Sequence, residues 1–124
     1  MKANSSVDVV LVDDDNGVRW IIEQVLEMAG VSYASAATGA QGIKLITLHT
    51  PPLAIVDVKL GGMSGLDVAR HVQSNGHTQI LLVTGYANTI QNTISELPII
   101  TVMEKPFDIH QLLAIVLDVL NKSA

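Results

Sequence analysis

Apolar residues along this chain fall into short continuous runs that alternate with longer stretches in which they recur every three or four positions. Short apolar runs bounded by turn residues are typical of strands buried on both faces of a parallel sheet, and the longer period is typical of amphipathic helices. The pattern predicts five strands, each followed by a helix. The strands are predicted at about residues 7–12, 32–36, 53–57, 79–83 and 99–103.

Capping residues and glycines indicate where the predicted helices begin and end. Asn16 is the predicted N-cap of the first helix, and Gly30 ends it. Thr38 opens the second helix and Asp108 caps the last one. The fourth helix, at about residues 88–96, is predicted to be short and polar.

Five strand–helix units follow one another without an internal repeat or a linker. This alternation predicts right-handed crossovers and a doubly wound parallel sheet with helices on both faces, a three-layer α/β/α arrangement. A chain of 124 residues has the length of one such unit. We therefore predict a single domain that spans residues 1–124.

The composition narrows the classes of function. Hydrophobic residues make up 48% of the chain but aromatic residues only 3%, which predicts an aliphatic core. The absence of cysteine excludes disulfides and thiolate metal sites, and the formal net charge of −5 argues against a nucleic-acid surface. No apolar run approaches the roughly 18 residues of a membrane span, so we expect a soluble cytoplasmic protein.

Polar residues follow four of the five predicted strands, at the point where each strand ends. They are Asp13, Asp14, Asp15, Asp57, Thr84 and Lys105. Because the carboxyl ends of parallel strands meet at one edge of the sheet, we expect these side chains to lie close together. Clustered carboxylates need a counter-charge, which Lys105 and a divalent cation such as Mg²⁺ or Mn²⁺ would supply.

This set of groups is suited to phosphoryl chemistry. A carboxylate beside Mg²⁺ can attack phosphorus to form an aspartyl phosphate, and Asp57 is the candidate nucleophile. Lys105 and Thr84 would bind the phosphoryl oxygens, where charge is spread in the transition state. Taken singly, a strand-end aspartate is usually a turn residue and an acidic triplet is often a solvated helix start. Their joint occurrence favours a functional site.

At these positions the chain resembles the receiver domains of two-component response regulators. The resemblance covers essentially the whole chain and implies the flavodoxin-like strand order 2-1-3-4-5. It depends on Val12-Asp13-Asp14, on Asp57 with the Leu-x-Gly-x-x-Gly run at 60–65, on Thr84-Gly85, and on Lys105-Pro106-Phe107.

The resemblance implies a role for each of these residues. Asp57 would accept a phosphoryl group from a phosphohistidine, Thr84 would be the phosphate-binding switch hydroxyl, and Lys105 would pair with the phosphate. Asp14 would ligate Mg²⁺ directly and Asp13 through water.

Asp57 and the backbone carbonyl of Lys59 would complete the metal site, whereas Asp15 is interpreted as a helix-start residue. The implied function is phosphorelay signal transduction by a phosphoacceptor that is not a turnover enzyme. The implied partners are a sensor histidine kinase or a histidine phosphotransfer protein, and a downstream protein or fused output domain. The domain itself would contact neither nucleic acid nor a membrane, and it would be a monomer or a phosphorylation-dependent dimer.

The chain departs from the family pattern at three places. Gly61 replaces a usual proline, which predicts a looser loop after Asp57. Val102 replaces the aromatic partner of the switch hydroxyl, and Tyr86 is the nearest aromatic residue. The segment before the fifth strand lacks the usual Gly-Ala-x-x-Tyr-like run.

Three alternatives stay open at the level of the sequence. A phosphatase of the haloacid-dehalogenase type also uses a strand-end aspartate, but it needs a second acid where Lys59 stands. A flavin-binding module would need a phosphate-cradling loop after the first strand, where this chain has three aspartates. The third alternative is a receiver-like interaction module that takes no phosphate.

Overall fold

The computed structural model describes residues 7–85 and 97–123. Within these ranges the elements, in chain order, are β1 Val9–Val12, α1 Asn16–Met28, β2 Tyr33–Ala36, α2 Gly39–His49, β3 Leu53–Asp57, β4 Lys59–Leu60, β5 Met63–Ser64, α3 Gly65–Val72, a 3₁₀ turn Gln73–Asn75, β6 Gln79–Thr84, β7 Ile99–Glu104 and α4 Ile109–Ser123. The predicted helix at residues 88–96, and Tyr86, lie outside the described ranges.

Five of the strands form one parallel sheet in the order β2-β1-β3-β6-β7. In the numbering of the predicted strands this is 2-1-3-4-5, so the predicted fold class and strand order are confirmed. Val12 pairs with Val56, which places Asp13 beside Asp57 at the carboxyl end of the sheet. The register of β6 and β7 pairs Thr84 with Glu104, and Lys105 follows directly.

The core consists of two apolar layers, one on each face of the sheet. Successive residues of a strand point to opposite faces, so β1 sends Val9 and Leu11 into one layer and Val10 and Val12 into the other. The first layer contains residues of α1 and α4, and the second contains residues of α2 and α3. Every residue of β1 and β3 is buried, as their continuous apolar runs predict.

The predicted cap of the first helix is wrong by one residue. Asp15 is the N-cap, and its Oδ1 accepts hydrogen bonds from the backbone N–H groups of Gly17 at 2.9 Å and Val18 at 3.1 Å. Asp15 has the extended backbone conformation of an N-cap, whereas Asn16 is already helical and its side-chain oxygen accepts from Arg19.

Other predicted helix ends are confirmed. Thr38 caps α2 by accepting from the N–H of Gln41 at 3.2 Å, and the side chain of Asp108 accepts from the N–H of His110 at 2.8 Å. Gly30 follows α1 with a φ of 74°, the left-handed conformation that favours glycine.

The first strand begins two residues later than predicted, at Val9. The N–H groups of Asp8 and Val9 both donate to the carbonyl of Ser32, at 3.1 Å each, so Asp8 lies at the entry to the sheet and outside the regular ladder. Among residues 7–85 and 97–123, no helix has the length and apolar character needed to span a membrane.

Candidate functional site

The loop after β1 carries the acidic triplet in a fixed conformation. Asp13 is 2% exposed, and its Oδ1 accepts from the backbone N–H of Asp15 at 2.8 Å. The guanidinium of Arg19 donates to the backbone carbonyl of Asp13 and to Oδ1 of Asn16, both at 2.6 Å. Asp14 lies between these anchored residues and is exposed. The loop therefore presents one buried and one exposed carboxylate in succession.

Asp57 is the last residue of β3 and is 6% exposed. Its Oδ1 accepts from the backbone N–H of Lys59 at 3.3 Å, and its Oδ2 accepts from the ammonium of Lys105 at 3.1 Å. Both oxygens of a nearly buried carboxylate are thus hydrogen-bonded, one of them to a cation.

Lys105 bridges the two buried carboxylates. Besides Asp57, its Nζ lies 3.6 Å from Oδ2 of Asp13. The backbone N–H of Lys105 donates to the carbonyl of Thr84 at 2.8 Å, which continues the ladder between β6 and β7 by one residue. This bond fixes the backbone from which the lysine side chain reaches across the sheet edge.

The titration behaviour of the site reflects its burial. Burial raises the pKa of the Asp13 carboxyl above its ordinary value of 3.8; the Asp57 carboxylate adds to the rise, and the Asp15 N–H and the Lys105 ammonium oppose it. Partial burial lowers the pKa of Lys105. Its hydrogen bond to Asp57 and the charges of Asp13 and Asp57 outweigh that effect, so this pKa lies above 10.5. The lysine therefore stays cationic at neutral pH.

The donor set suits an oxygen-preferring cation. Carboxylate oxygens of Asp13, Asp14 and Asp57 all lie within 4.8 Å of one another. Hard divalent ions such as Mg²⁺ and Mn²⁺ take carboxylate and carbonyl oxygens, and this group offers no thiolate or imidazole that would favour zinc. The three carboxylates fit a single Mg²⁺.

The segment after Asp57 is a short hairpin. In it, Lys59 pairs with Ser64 and Leu60 with Met63, and Gly62 has a φ of 77° in the turn. Gly61 and Gly62 form the turn of this hairpin. The looser loop that the sequence predicts after Asp57 stays a prediction.

A cavity of about 360 Å³ opens between this hairpin and the acidic loop, beside Lys105. It is lined by Asp14, Asp15, Asp57, Lys59, Leu60, Gly61 and Lys105. The carboxylate of Asp57 therefore faces a space large enough for a small anionic ligand.

The structure brings most of the sequence-predicted site residues together around this cavity. Thr84 ends β6 at the same sheet edge, but it is 1% exposed and does not line the cavity. Val102 is partly buried against the apolar layer of α2 and α3. The switch roles expected of these two residues stay predictions.

Sequence reasoning missed Arg19 as a contributor to the site. Residues three apart in a helix lie on the same side, so the spacing of Asn16 and Arg19 could have indicated that their side chains meet beside the acidic loop. Because the bond to the Asp13 carbonyl crosses six positions, the interaction depends on the bend between β1 and α1.

Comparison with known proteins identifies the family. The sequence model of the response regulator receiver domain matches residues 9–117, which includes every site residue named above. The chain belongs to this family. The hydrolase, flavin-binding and phosphate-independent alternatives are not favoured by that membership.

Among curated proteins, the receiver domain is 29% identical over 107 residues to sporulation initiation phosphotransferase F of Bacillus subtilis, covering 84% of this chain and 86% of that protein. It is 28% identical over 114 residues to the DNA-binding transcriptional regulator NtrC of Klebsiella pneumoniae, covering 86% of this chain. The match spans only 23% of that second protein, so its other regions have no counterpart in this comparison.

Among solved structures, the CheY-like response regulator receiver domain protein of Methanospirillum hungatei has a TM-score of 0.85 at 26% identity. The alignment covers 94% of this chain and 95% of that one. Receiver domains act in phosphorelay signal transduction, as phosphoacceptors rather than classical enzymes, together with histidine kinases and output domains. The family binds Mg²⁺ at an acidic site, which agrees with the three clustered carboxylates.

Proposed function

We propose that this domain accepts a phosphoryl group on Asp57 from a phosphohistidine of a sensor histidine kinase or a histidine phosphotransfer protein. One observation carries the proposal. The Asp57 carboxylate lines a cavity, accepts from a lysine ammonium at 3.1 Å, and lies within 4.8 Å of two further carboxylates, the buried Asp13 and the exposed Asp14. A nucleophile, a cation for the phosphoryl oxygens and a cation-binding set are thereby in one place.

In the proposed reaction a carboxylate oxygen of Asp57 attacks phosphorus. A P–O bond forms, the P–N bond of the phosphohistidine breaks, and the imidazole nitrogen keeps the electron pair. The product is an aspartyl phosphate. The charge that develops on the transferring group is met by Lys105, which already donates to Asp57 and stays protonated.

Asp13, Asp14, Asp57 and the backbone carbonyl of Lys59 would hold Mg²⁺ or Mn²⁺. When bound, the ion supplies positive charge that offsets the carboxylates and the phosphoryl oxygens. Asp13 and Asp14 orient this set because the Asp15 N–H and the Arg19 guanidinium fix their loop. Without the ion, Lys105 is the cation that bridges Asp13 and Asp57.

Phosphorylation would then shift the population between two surfaces of the domain, with the Thr84 hydroxyl binding the new phosphate. The same site would slowly hydrolyse its own acyl phosphate, so the domain turns over no external substrate. The downstream target would be a separate protein or a fused output domain, reached in the cytoplasm by a monomer or a phosphorylation-dependent dimer.

The test uses phosphoramidate as donor, because it has the P–N bond of phosphohistidine. Incubation of the wild type with phosphoramidate and MgCl₂ should add one phosphate by intact mass, and Asp57→Asn should add none. Asp118→Asn, which changes an exposed carboxylate in α4, is the matched control and should label like the wild type. Equal labelling of the wild type and Asp57→Asn would overturn the assignment of Asp57.

Addition of EDTA separates the metal requirement from the nucleophile. Labelling should fall to the background of Asp57→Asn when EDTA replaces MgCl₂, and MnCl₂ should restore it. Undiminished labelling in EDTA would contradict the proposed metal set.

A further inference from the structure

One wall of the Asp57 cavity is the β4–β5 hairpin, through Lys59, Leu60 and Gly61. The hairpin consists of two residue pairs, and Leu60 anchors it in the apolar layer beneath, where it is 6% exposed. At its ends the N–H of Lys59 donates to Asp57 and the N–H of Gly65 donates to the carbonyl of Val58 at 2.8 Å. Because Lys59 and Leu60 belong both to the hairpin and to the cavity wall, a displacement of the hairpin also displaces the wall.

The second strand of the hairpin rests on the start of α2. Met63, the pairing partner of Leu60, lies against Gly39, the first residue of that helix, which is buried. A Cβ placed on Gly39 would lie 2.6 Å from Sδ of Met63, 3.1 Å from its Cγ and 3.2 Å from its Cβ. Turning the Met63 side chain can move its Sδ away, but the contacts to Cγ and Cβ are relieved only if the base of the side chain also shifts by a few tenths of an ångström. A side chain at position 39 therefore requires Met63 to change its rotamer or the hairpin to move.

We infer that Gly39 and Met63 are positioning residues for the phosphoacceptor site, and that their contact sets where the hairpin stands relative to Asp57. The inference rests on the function proposed above, because the Lys59 carbonyl of this hairpin is a proposed ligand of the cation. The contact and the proposed ligand are close together, because Met63 pairs with Leu60 and Leu60 follows Lys59 in the chain. The hairpin position therefore controls the affinity for Mg²⁺.

A second close glycine on the same helix distinguishes this contact from general helix packing. A Cβ on Gly42 would lie 2.6 Å from Cγ2 of Val12, so that glycine lets α2 pack onto the sheet. Gly39 lies one turn earlier and faces the hairpin. The two glycines of α2 thus serve different contacts, one with the core strand β1 and one with the wall of the site.

The experiment compares Gly39→Ala, Met63→Ala and the double variant Gly39→Ala/Met63→Ala. Affinity for Mg²⁺ is measured by isothermal titration calorimetry, and the backbone amides of residues 59–64 are followed by NMR in EDTA. Gly39→Ala should weaken Mg²⁺ binding by about tenfold, as expected for loss of support behind a metal ligand, and should shift the hairpin amides. In the double variant the new Cβ enters the space that Met63 vacates, so both readouts should return towards those of Met63→Ala alone.

Val119→Ala is the control for a purely structural effect. Val119 is buried in α4 and lines a different cavity together with Gln79, at the opposite end of the strands. This variant should lower the urea concentration at the unfolding midpoint, as truncation of a buried valine does, and should bind Mg²⁺ with the affinity of the wild type.

Two results would overturn the inference. One is a Gly39→Ala protein whose Mg²⁺ affinity and hairpin amides match the wild type; the other is a double variant whose losses are the sum of the single losses. A wild type that binds no Mg²⁺ would instead refute the proposed function and, with it, the link to affinity. The amide shifts in EDTA keep the two failures distinguishable, because they report the hairpin position without metal or phosphate.

Discussion

Lys105 and Asp57 are 48 positions apart in the chain, and the ammonium of Lys105 donates to Oδ2 of Asp57 at 3.1 Å. The same nitrogen lies 3.6 Å from Asp13, so one cation balances two buried carboxylates. Removing the lysine leaves two nearly buried carboxylates without a compensating charge.

Lys105→Ala should therefore slow the labelling of Asp57 by phosphoramidate by roughly 10²-fold, the usual cost of removing one charge-stabilising donor. It should also destabilise the metal-free protein by about 1–3 kcal/mol, since two buried acids lose their partner. Urea denaturation in EDTA and a labelling time course measure the two effects. Lys105→Arg keeps the charge and should reduce both the labelling rate and the stability less than Lys105→Ala does. Labelling of Lys105→Ala at the wild-type rate would contradict the proposed role of Lys105 in phosphoryl transfer.

Asp13 gives a pH dependence with a definite sign. Its pKa in the folded state is raised above 3.8, so its contribution to stability is full below that pH and is lost as the pH rises through the raised value. Asp13→Asn does not ionise and still accepts from the Asp15 N–H. In EDTA it should be more stable than the wild type at pH 7, and the difference should vanish below pH 3.8.

Urea denaturation across this pH range, in EDTA, measures the effect. Asp118→Asn, at an exposed site in α4, should change the free energy of unfolding by less than about 0.5 kcal/mol. An Asp13→Asn protein less stable than the wild type at pH 7 would contradict the assignment of burial as the dominant influence.

Asp15 caps α1, whereas its neighbours Asp13 and Asp14 are proposed metal ligands, and single substitutions distinguish the two roles. Asp15→Ala removes two accepted hydrogen bonds at the start of α1 and should cost about 1 kcal/mol of folding free energy, which Asp15→Ser should largely restore. Asp14→Ala removes a proposed ligand and should weaken Mg²⁺ binding at least about tenfold. Calorimetry should show a much smaller loss for Asp15→Ala; an equal loss would make Asp15 a ligand.

The buried hydroxyl of Thr84 is tested with two variants of similar shape. Thr84→Val replaces the hydroxyl with a methyl group and should slow phosphoryl transfer to Asp57 by roughly 10²-fold if that hydroxyl binds the transferring group. Thr84→Ser keeps the hydroxyl and should label within about threefold of the wild type. Labelling rates with phosphoramidate decide the matter, and a fully active Thr84→Val would remove Thr84 from the site.

Several features of the fold follow from local patterns. The continuous apolar runs of β1 and β3 predict strands buried on both faces, and the structure has every residue of both buried. Glycine at position 30 and threonine at position 38 predict helix ends because their conformations and hydrogen bonds involve only near neighbours. The first cap was missed because Asp15 and Asn16 are both good capping residues, and the backbone conformation decides between them.

Short-range periodicity and the common direction of parallel strands were enough to predict the succession of strands and helices. They also placed an acid or a base at the ends of three strands and a hydroxyl, that of Thr84, at the end of a fourth. Which of these groups meet depends on how the strands pair in the folded sheet. The register between β1 and β3 sets Asp13 beside Asp57, and the pairing of β3 with β6 and of β6 with β7 brings Lys105 to both carboxylates. The contact of Gly39 with Met63 likewise depends on how a helix and a hairpin pack, since distances between segments far apart in the chain are not fixed by the residues near either one.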